Sequence, residues 1–260
     1  MKDLGYNYFK IGRVPIAITN TEDAINRIKD AIRSKKKGYV CVSNMRTVTI
    51  ANKDSEYLQV MNDSLFNTPD GTPLIWCARA WGIKKAQRAC GPHIFRALLQ
   101  DSEFGFKHFF LGDTDSTLEK LTHKCQTEYS TDNVGSYSPP FKPLEEYDLE
   151  GIARMINDSG ANLVWTSLRA PKQDILAHML MPYINDGIVF VGVGAAFRFE
   201  LGEYKQPDGF LQKVGLAGLG AYRGTGIWKE IKWYFIHTFY LCCYLLAILF
   251  RRVIGKKYYE

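Results

Sequence analysis

The stretch Thr68-Pro69-Asp70-Gly71-Thr72-Pro73 separates two apolar runs and decides how the chain around it folds. Pro69 fixes its own φ angle, and Gly71 can adopt backbone angles that are closed to other residues. The stretch therefore predicts a tight turn that joins a strand to a helix beginning near Pro73.

An aspartate held in such a turn has two interpretations. In an open α/β sheet, the turns at the carboxyl ends of the strands line the ligand crevice, where a carboxylate can serve as a general base. Alternatively, Asp70 only caps the helix that follows it. The stretch by itself leaves both interpretations open.

Composition and charge indicate a folded α/β protein. The 260 residues are 46% hydrophobic and 23% charged, which suits one large domain or a domain with an appendage. The formal net charge is +6 and the pI is about 8.9, which favours anionic partners such as phosphates or an acidic membrane surface. The basic residues accompany no nucleic-acid-binding motif, so we expect no nucleic acid among the partners.

The cysteines and histidines do not have the spacing of metal ligands. None of the six cysteines forms a CxxC pair, and we interpret them as reduced, mostly buried thiols. We interpret the five histidines as structural. The N-terminal residues lack the apolar core of a signal peptide, so we expect the bulk of the chain in the cytosol.

Short apolar runs alternate with stretches of helical periodicity. After a hairpin over 9–18, we predict strands over 39–42, 107–112, 133–137, 162–166 and 187–194, and helices from Thr21 and over 48–61, 73–81, 94–100, 116–127, 148–159 and 172–183. This alternation predicts a Rossmann-like α/β fold, with a mostly parallel sheet and helices on both faces. We assign residues 1–200 to this domain and residues 201–260 to a C-terminal helical appendage that associates with a membrane.

The appendage contains an apolar segment, 233–250, without Asp, Glu, Lys or Arg. Its length is near the lower limit for a spanning helix, which needs about 17–25 apolar residues. Trp228, Arg251 and Arg252 flank it as membrane-interface residues do, and further lysines add attraction to anionic lipid. The segment could span a membrane, lie in its interface or pack against the sheet or a partner subunit. We favour membrane association, and homo-oligomer formation would also bury the segment.

Six short motifs occur at expected strand ends or helix starts. They are Ser43-Asn44, Pro69-Asp70-Gly71, Arg88-Ala89-Cys90-Gly91-Pro92, Tyr137-Ser138-Pro139-Pro140-Phe141, Ala170-Pro171-Lys172-Gln173-Asp174 and Gly192-Val193-Gly194-Ala195-Ala196-Phe197. Each motif alone has low specificity, but the order and spacing of all six are specific. With them, residues 10–235 resemble the WecG/TagA/CpsF glycosyltransferases (glycosyltransferase family 26).

This resemblance implies an inverting transfer of a sugar from a UDP-sugar to an undecaprenyl-diphosphate-linked saccharide. The sugar would be N-acetylmannosamine, N-acetylmannosaminuronic acid or a related hexose or uronic acid. The reaction would need no metal or other cofactor and would serve cell-surface polysaccharide or teichoic-acid synthesis at the cytoplasmic face of the cell membrane. The resemblance also implies that the appendage contributes to the site and to membrane contact.

Asp70 matches the family's proposed base, which takes a proton from the acceptor hydroxyl. The candidates for stabilising the UDP leaving group in place of a metal are Arg88 and, from the appendage, Arg223, Lys229 or Lys232. The predicted substrate- and nucleotide-binding residues are Ser43, Asn44, Gly71, Thr72, Arg88, Gln173, Gly192, Gly194, Arg223, Lys229 and Lys232.

Several of these residues have a purely structural alternative. Gly192 and Gly194 would let the nucleotide approach the backbone, or they form only a tight turn. The amides of Gln173 and Asn44 would bind the sugar or uracil, or they cap a helix and form an Asx-turn. Arg88 alternatively is an ordinary surface charge.

The chain also departs from the family pattern. Val42 stands where the family has Thr, His93 and Arg198 stand where it has acids, and 166–169 replace a glycine-rich segment. These changes make the crevice more positive, which suits a more anionic donor or acceptor. They also fit a non-catalytic relative that acts as a scaffold or binding subunit of a polysaccharide assembly complex. The retained Asp70 favours an active enzyme.

A Rossmann oxidoreductase is a poor alternative. It would need G-x-G-x-x-G in the first βα turn, where this chain has Val42-Ser43-Asn44-Met45.

Overall fold

A six-stranded sheet forms the centre of the structure, a computed structural model that describes residues 7–129, 131–204 and 227–258, without the side chains of 227–234. The strands along the chain are β1 (Tyr8–Ile11), β2 (Val14–Ala17), β3 (Gly38–Ser43), β4 (Phe66–Pro69), β5 (Lys107–Gly112), β6 (Asp132–Tyr137), β7 (Leu163–Ser167) and β8 (Val189–Gly192). The sheet has the order β4-β3-β8-β7-β5-β6, and its neighbouring strands are all parallel. β1 and β2 form a separate antiparallel hairpin. Both the parallel sheet and the hairpin confirm the sequence predictions.

Helices connect the strands of the sheet. They are α1 (Thr21–Arg33), α2 (Met45–Lys53), α3 (Ser55–Asp63), α4 (Thr72–Ala80), α5 (Gly91–Leu99), α6 (Asp115–Lys124), α7 (Leu149–Ser159), α8 (Lys172–Leu180), α9 (Ala196–Glu200) and α10 (Ile227–Val253). A π-helical turn, Cys125–Tyr129, extends α6, and short 3-10 turns cover Leu144–Glu146 and Met181–Tyr183.

The buried strands send alternate side chains to the two faces of the sheet. In β3, Tyr39 and Cys41 join one apolar cluster, whereas Val40 and Val42 join the other. Residues of α2, α3, α4, α7 and α8 complete the first cluster, and residues of α1, α5, α6 and α9 complete the second. Because both faces are covered, the strands appear in the sequence as continuous apolar runs.

The single helix predicted over 48–61 is wrong, because the chain forms α2 and α3 there with a break at Asp54. Asp54 has extended backbone angles, and its Oδ1 accepts the N–H groups of Glu56 and Tyr57 at 3.0 and 3.1 Å. This side-chain cap starts a new helix where the apolar spacing suggests that the old one continues. Periodicity also does not reveal α9, whose five residues are too few to define an apolar face.

The long C-terminal helix α10 lies against the sheet domain. It contacts α2 and α4, and Leu241 and Ile248 are buried there. Arg252 Nη1 donates to the carbonyl of Ala80 at 3.1 Å, and the N–H of Lys10 donates to the carbonyl of Tyr258 at 2.8 Å. The described part of the predicted appendage thus packs on one flank of the domain. The domain boundary after residue 200 stays a prediction.

The other side of α10 exposes large apolar side chains to solvent. These are Phe235, Phe239, Leu246, Leu249 and Phe250. Within the described residues, Phe235–Val253 is long and apolar enough to cross a membrane, judged by length and composition only. The helix thus has one packed face and one exposed apolar face.

Candidate active site

The predicted turn at residues 68–73 joins β4 to α4 at the carboxyl edge of the sheet. The N–H of Asp70 donates to the carbonyl of Ser43, the last residue of β3, at 2.6 Å. Gly71 has φ +127° and is the N-cap of α4, which has no side-chain capping bond. Asp70 therefore does not cap the helix, so the capping alternative is wrong. Thr72 begins α4 beside it.

The Asp70 carboxylate faces Arg88 from a largely buried position. Asp70 Oδ1 lies 3.9 Å from Arg88 Nη2, and the two side chains are 28% and 29% exposed. Burial raises the pKa of Asp70 to about 6, while the positive charge of Arg88 and the backbone N–H of Gly91 act in the opposite direction. This carboxylate is mainly ionised at neutral pH and more basic than an ordinary aspartate, as a general base requires.

The segment that carries Arg88 runs along the same turn. The N–H of Ala89 donates to the carbonyl of Pro69 at 3.0 Å, and Thr21 Oγ1 donates to the carbonyl of Arg88 at 3.3 Å. These bonds hold the Arg88 backbone next to Asp70. Its position argues against the alternative of an ordinary surface charge.

The turn after β8, residues 192–194, lies beside the same group and is called the β8 turn below. A β-carbon on Gly91 would lie 3.1 Å from the carbonyl oxygen of Val193, so the start of α5 packs directly on this turn. Gly194 has φ +57°, its N–H donates to Gln173 Oε1 at 3.0 Å, and its carbonyl accepts a bond from Ser167 Oγ at 2.6 Å. The turn is therefore fixed by side chains of two neighbouring elements.

Gln173 and Asp174 lie beneath the β8 turn, and each is only 2% exposed. Gln173 does not cap α8, whose N-cap is Pro171 without a side-chain bond; the capping alternative is wrong. A β-carbon on Gly192 would lie 2.7 Å from both Asp174 Oδ1 and Gln173 Nε2. The packing of these two side chains therefore requires glycine at position 192, whether or not a nucleotide binds there.

Asp174 is the polar residue of this region that the sequence prediction leaves out, although it ends one of the quoted motifs. Tyr57 Oη donates to Asp174 Oδ2 at 2.6 Å. Burial raises the pKa of Asp174 to about 7, and the hydrogen bond from Tyr57 opposes this effect. Its place at the end of that motif is the sequence signal that could have identified it.

Ser43 and Asn44 end β3 at the same edge, but their side chains already have structural partners. Ser43 is 1% exposed, and its hydroxyl donates to the carbonyl of Cys41 at 3.3 Å. Asn44 caps α2, with its Oδ1 accepting the N–H groups of Arg46 and Thr47. The capping bonds leave the Asn44 Nδ2 group as its ligand-binding part, and both binding roles stay predictions.

Three of the predicted binding side chains are not among those that the structure describes. Arg223 is outside the described residues, as are the side chains of Lys229 and Lys232. Arg198 binds Asp113 at the end of β5 in a bidentate ion pair, with bonds of 3.0 and 2.7 Å. Asp113 therefore offsets the positive charge that Arg198 was expected to add to the crevice.

The described residues contain no group of three or more His, Cys, Asp or Glu side chains that could hold a metal ion. Metal independence itself stays a prediction. Cys41, Cys77, Cys90 and Cys125 are buried, whereas Cys242 and Cys243 are exposed on α10.

Comparisons with known proteins identify the family of the chain. The family model for "Glycosyl transferase WecG/TagA/CpsF family" matches residues 9–252. One relative, from Bacillus subtilis (strain 168), is an N-acetylglucosaminyldiphosphoundecaprenol N-acetyl-beta-D-mannosaminyltransferase; it is 23% identical over 208 residues, which are 79% of each chain. With a family match over nearly its whole length, the chain belongs to the WecG/TagA/CpsF family of glycosyltransferases.

Proposed function

We propose that this glycosyltransferase moves a sugar from a UDP-sugar to an undecaprenyl-diphosphate-linked saccharide with inversion at the anomeric carbon. The observation that carries the proposal is the Asp70–Arg88 pair, with 3.9 Å between Oδ1 and Nη2, in a turn at the carboxyl edge of the sheet. The relative's name specifies an N-acetylmannosaminyl group and an N-acetylglucosaminyl-diphospho-undecaprenol acceptor. For this chain we propose the same class of acceptor and an N-acetylmannosamine, N-acetylmannosaminuronic acid or related donor sugar.

The proposed reaction is a single displacement. An acceptor hydroxyl oxygen attacks the anomeric carbon while Asp70 takes its proton, and the bond from that carbon to the UDP oxygen breaks. UDP leaves with the electron pair, and Arg88 stabilises the negative charge that develops on its phosphate. Asp70 then releases the proton to solvent.

Donor binding would strengthen the base. Arg88 acts to lower the pKa of Asp70 in the free protein. A bound diphosphate would share the guanidinium and bring negative charge nearby, and both effects raise the pKa of the carboxyl group. Asp70 would therefore become a stronger base only when a donor is in place.

We further propose that α10 attaches the protein to the cytoplasmic face of the membrane by lying in the interface. Its buried face contacts α2 and α4, which a helix crossing the bilayer would have to leave. Its exposed phenylalanines and leucines would enter the lipid, and Arg251, Lys256 and Lys257 would attract anionic headgroups.

The test is UDP release from a panel of UDP-sugars with a short prenyl-diphosphate-GlcNAc acceptor. The protein and its Asp70→Asn variant are compared, with and without EDTA. Turnover that persists in EDTA and is lost in the variant is expected. Absence of UDP binding by the wild-type protein would contradict the proposal and favour the scaffold alternative.

A further inference from the structure

An ion pair at the carboxyl edge of the sheet joins the turn after β5, residues 112–114 and called the β5 turn below, to helix α9. Arg198 Nε and Nη2 donate to Asp113 Oδ2 and Oδ1 at 3.0 and 2.7 Å, and the two side chains are 32% and 8% exposed. α9 follows the β8 turn, and β7 lies between β5 and β8 in the sheet. The pair therefore spans the end of β7. A bidentate pair of this kind fixes both distance and orientation.

The helices that follow these strands show that the ion pair borders a crevice. α6, after β5, packs on one face of the sheet, whereas α8, after β7, packs on the other. In an open α/β sheet, ligands bind where the connections of neighbouring strands separate to opposite faces in this way. α9 lies on the same face as α6. The ion pair thus belongs to one wall of the crevice, and the start of α8 belongs to the other.

Asp113 is also connected to the β8 turn through the end of β7. Its N–H donates to the carbonyl of Ser167 at 3.0 Å, and Ser167 Oγ donates to the carbonyl of Gly194 at 2.6 Å. Asp113 has φ +62°, a left-handed backbone angle that aspartate adopts more readily than most residues. The β5 and β8 turns are therefore joined twice, by hydrogen bonds through Ser167 and by the ion pair to Arg198.

We propose that Asp113 and Arg198 are positioning residues for the donor site, which act as a pair to set the distance between the β5 turn and the β8 turn. This inference rests on the proposed function, because the crevice is taken to hold the UDP group. Besides its two bonds to Asp113, Arg198 has Nη1 at 3.7 Å from Glu203 Oε2. All three guanidinium nitrogens face carboxylate oxygens, so a diphosphate would have to displace one of them. Arg198 therefore acts through Asp113 and not as a phosphate ligand.

Two single variants separate positioning from direct contact with the ligand. Asp113→Asn and Arg198→Gln each break the ion pair, and each should weaken UDP binding about tenfold, the lower end of what one charged hydrogen bond contributes. If Arg198 instead bound the diphosphate, Asp113→Asn would release the guanidinium and tighten UDP binding. Asparagine keeps the size of aspartate, tolerates the left-handed backbone angle, and can still accept the N–H of Thr114, which Asp113 Oδ1 accepts at 2.9 Å.

The double variant Asp113→Asn/Arg198→Gln tests whether the two residues act as one unit. It should bind UDP about as weakly as one single variant, because the same interaction is lost in each case. Two independent contacts would instead multiply to a loss of about a hundredfold.

The measurements on the full-length protein are UDP affinity by calorimetry, and KM and kcat for the UDP-sugar that the wild-type protein uses. KM should rise with the loss of affinity. In contrast, kcat should stay near the wild-type value, because three strands separate β4, which precedes Asp70, from β5. The control is Arg96→Gln, which removes another ion pair of α9, with Arg96 Nε donating to Glu200 Oε2 at 3.0 Å. It should change neither UDP affinity nor KM.

Unchanged or tighter UDP binding in Asp113→Asn would overturn the inference, and so would a multiplicative loss in the double variant. If Arg198→Gln does not fold, Asp113→Asn decides. A wild-type protein that binds no UDP would overturn the proposed function and the positioning role together. A wild-type protein that binds UDP as well as all its variants do would overturn the positioning role only.

Discussion

Replacement of Arg88 by Gln should move the pH dependence of the reaction in a direction set by the Asp70–Arg88 pair. Asp70 must be ionised to accept a proton, so kcat/KM falls as the pH drops through the pKa of Asp70 in the free enzyme. That pKa is about 6, and Arg88 contributes by lowering it. Without the guanidinium, the acidic limb should therefore move to higher pH.

The size of the shift follows from the geometry. Two unit charges 3.9 Å apart attract each other by about 1 kcal/mol in bulk water and by about 4 kcal/mol at an effective dielectric constant of about 20. Because both side chains are more than a quarter exposed, solvent screening places the value near the lower end. A change of about 1.4 kcal/mol corresponds to one pH unit, so the acidic limb should move from about pH 6 to about pH 7.

The assay is the pH profile of kcat/KM for UDP release in the wild-type protein, Arg88→Gln and Arg88→Lys. Loss of phosphate binding would lower kcat/KM at every pH, whereas loss of the ion pair would also displace the limb. Arg88→Lys keeps the positive charge and should keep the limb near its wild-type position. An unmoved limb in Arg88→Gln would refute the electrostatic reasoning, even if activity falls.

Three further predictions concern the buried carboxyl group, the β8 turn and the exposed face of α10. The pKa of Asp174 is about 7 in the folded protein against an ordinary 3.8, so between these pH values the folded state binds a proton that the unfolded state has lost. The free energy of unfolding should therefore fall as pH rises from about 4 to about 7, by up to about 4 kcal/mol. Urea titrations should show that Asp174→Asn flattens this dependence. Gly192→Ala should cost up to about 3 kcal/mol and more than Gly160→Ala, because its β-carbon would overlap buried side chains. Gly160→Ala, with open space but φ +72°, should cost about 1 kcal/mol; a loss no larger in Gly192→Ala would contradict the packing argument. Phe239→Ser should weaken binding to anionic vesicles about tenfold or more, whereas Phe141→Ser, another exposed aromatic, should not; equal effects would show that the α10 face is not the lipid contact.

The sheet and the turn at Asp70 could be predicted from the sequence because their signals are local. Strands covered on both faces appear as unbroken apolar runs, and Pro69 and Gly71 define a turn within a few residues. The break at Asp54 is also local, but an aspartate in a helical stretch gives the same signal whether it is exposed or starts a new helix.

The supporting bonds of the site could not be predicted, because they join residues far apart in the chain. Gln173 and Gly194 are 21 residues apart, and Tyr57 and Asp174 are 117 apart. Sequence motifs identify the polar residues but not their partners. For Gly192, the motif predicted an approach to nucleotide, whereas the structure provides a packing reason that needs no ligand.

The direction of α10 connects the proposed membrane contact to the proposed site. Lys53, at the end of α2, lies 4.2 Å from the ring centre of Tyr240, and Arg252 reaches the carbonyl of Ala80, at the end of α4. α2 and α4 both begin at the carboxyl edge of the sheet, after Asn44 and Gly71, and run away from it. The positive charges of Arg46, at the start of α2, and of Lys53 both act on His237, which lies closer to the N-terminal end of α10 than Arg252 does. α10 therefore runs the same way, with its N-terminal end toward the crevice. A lipid-linked diphosphate in the headgroup region would then meet the start of α10 and the Asp70 turn together, which is the arrangement that a transferase acting on a membrane-held acceptor requires.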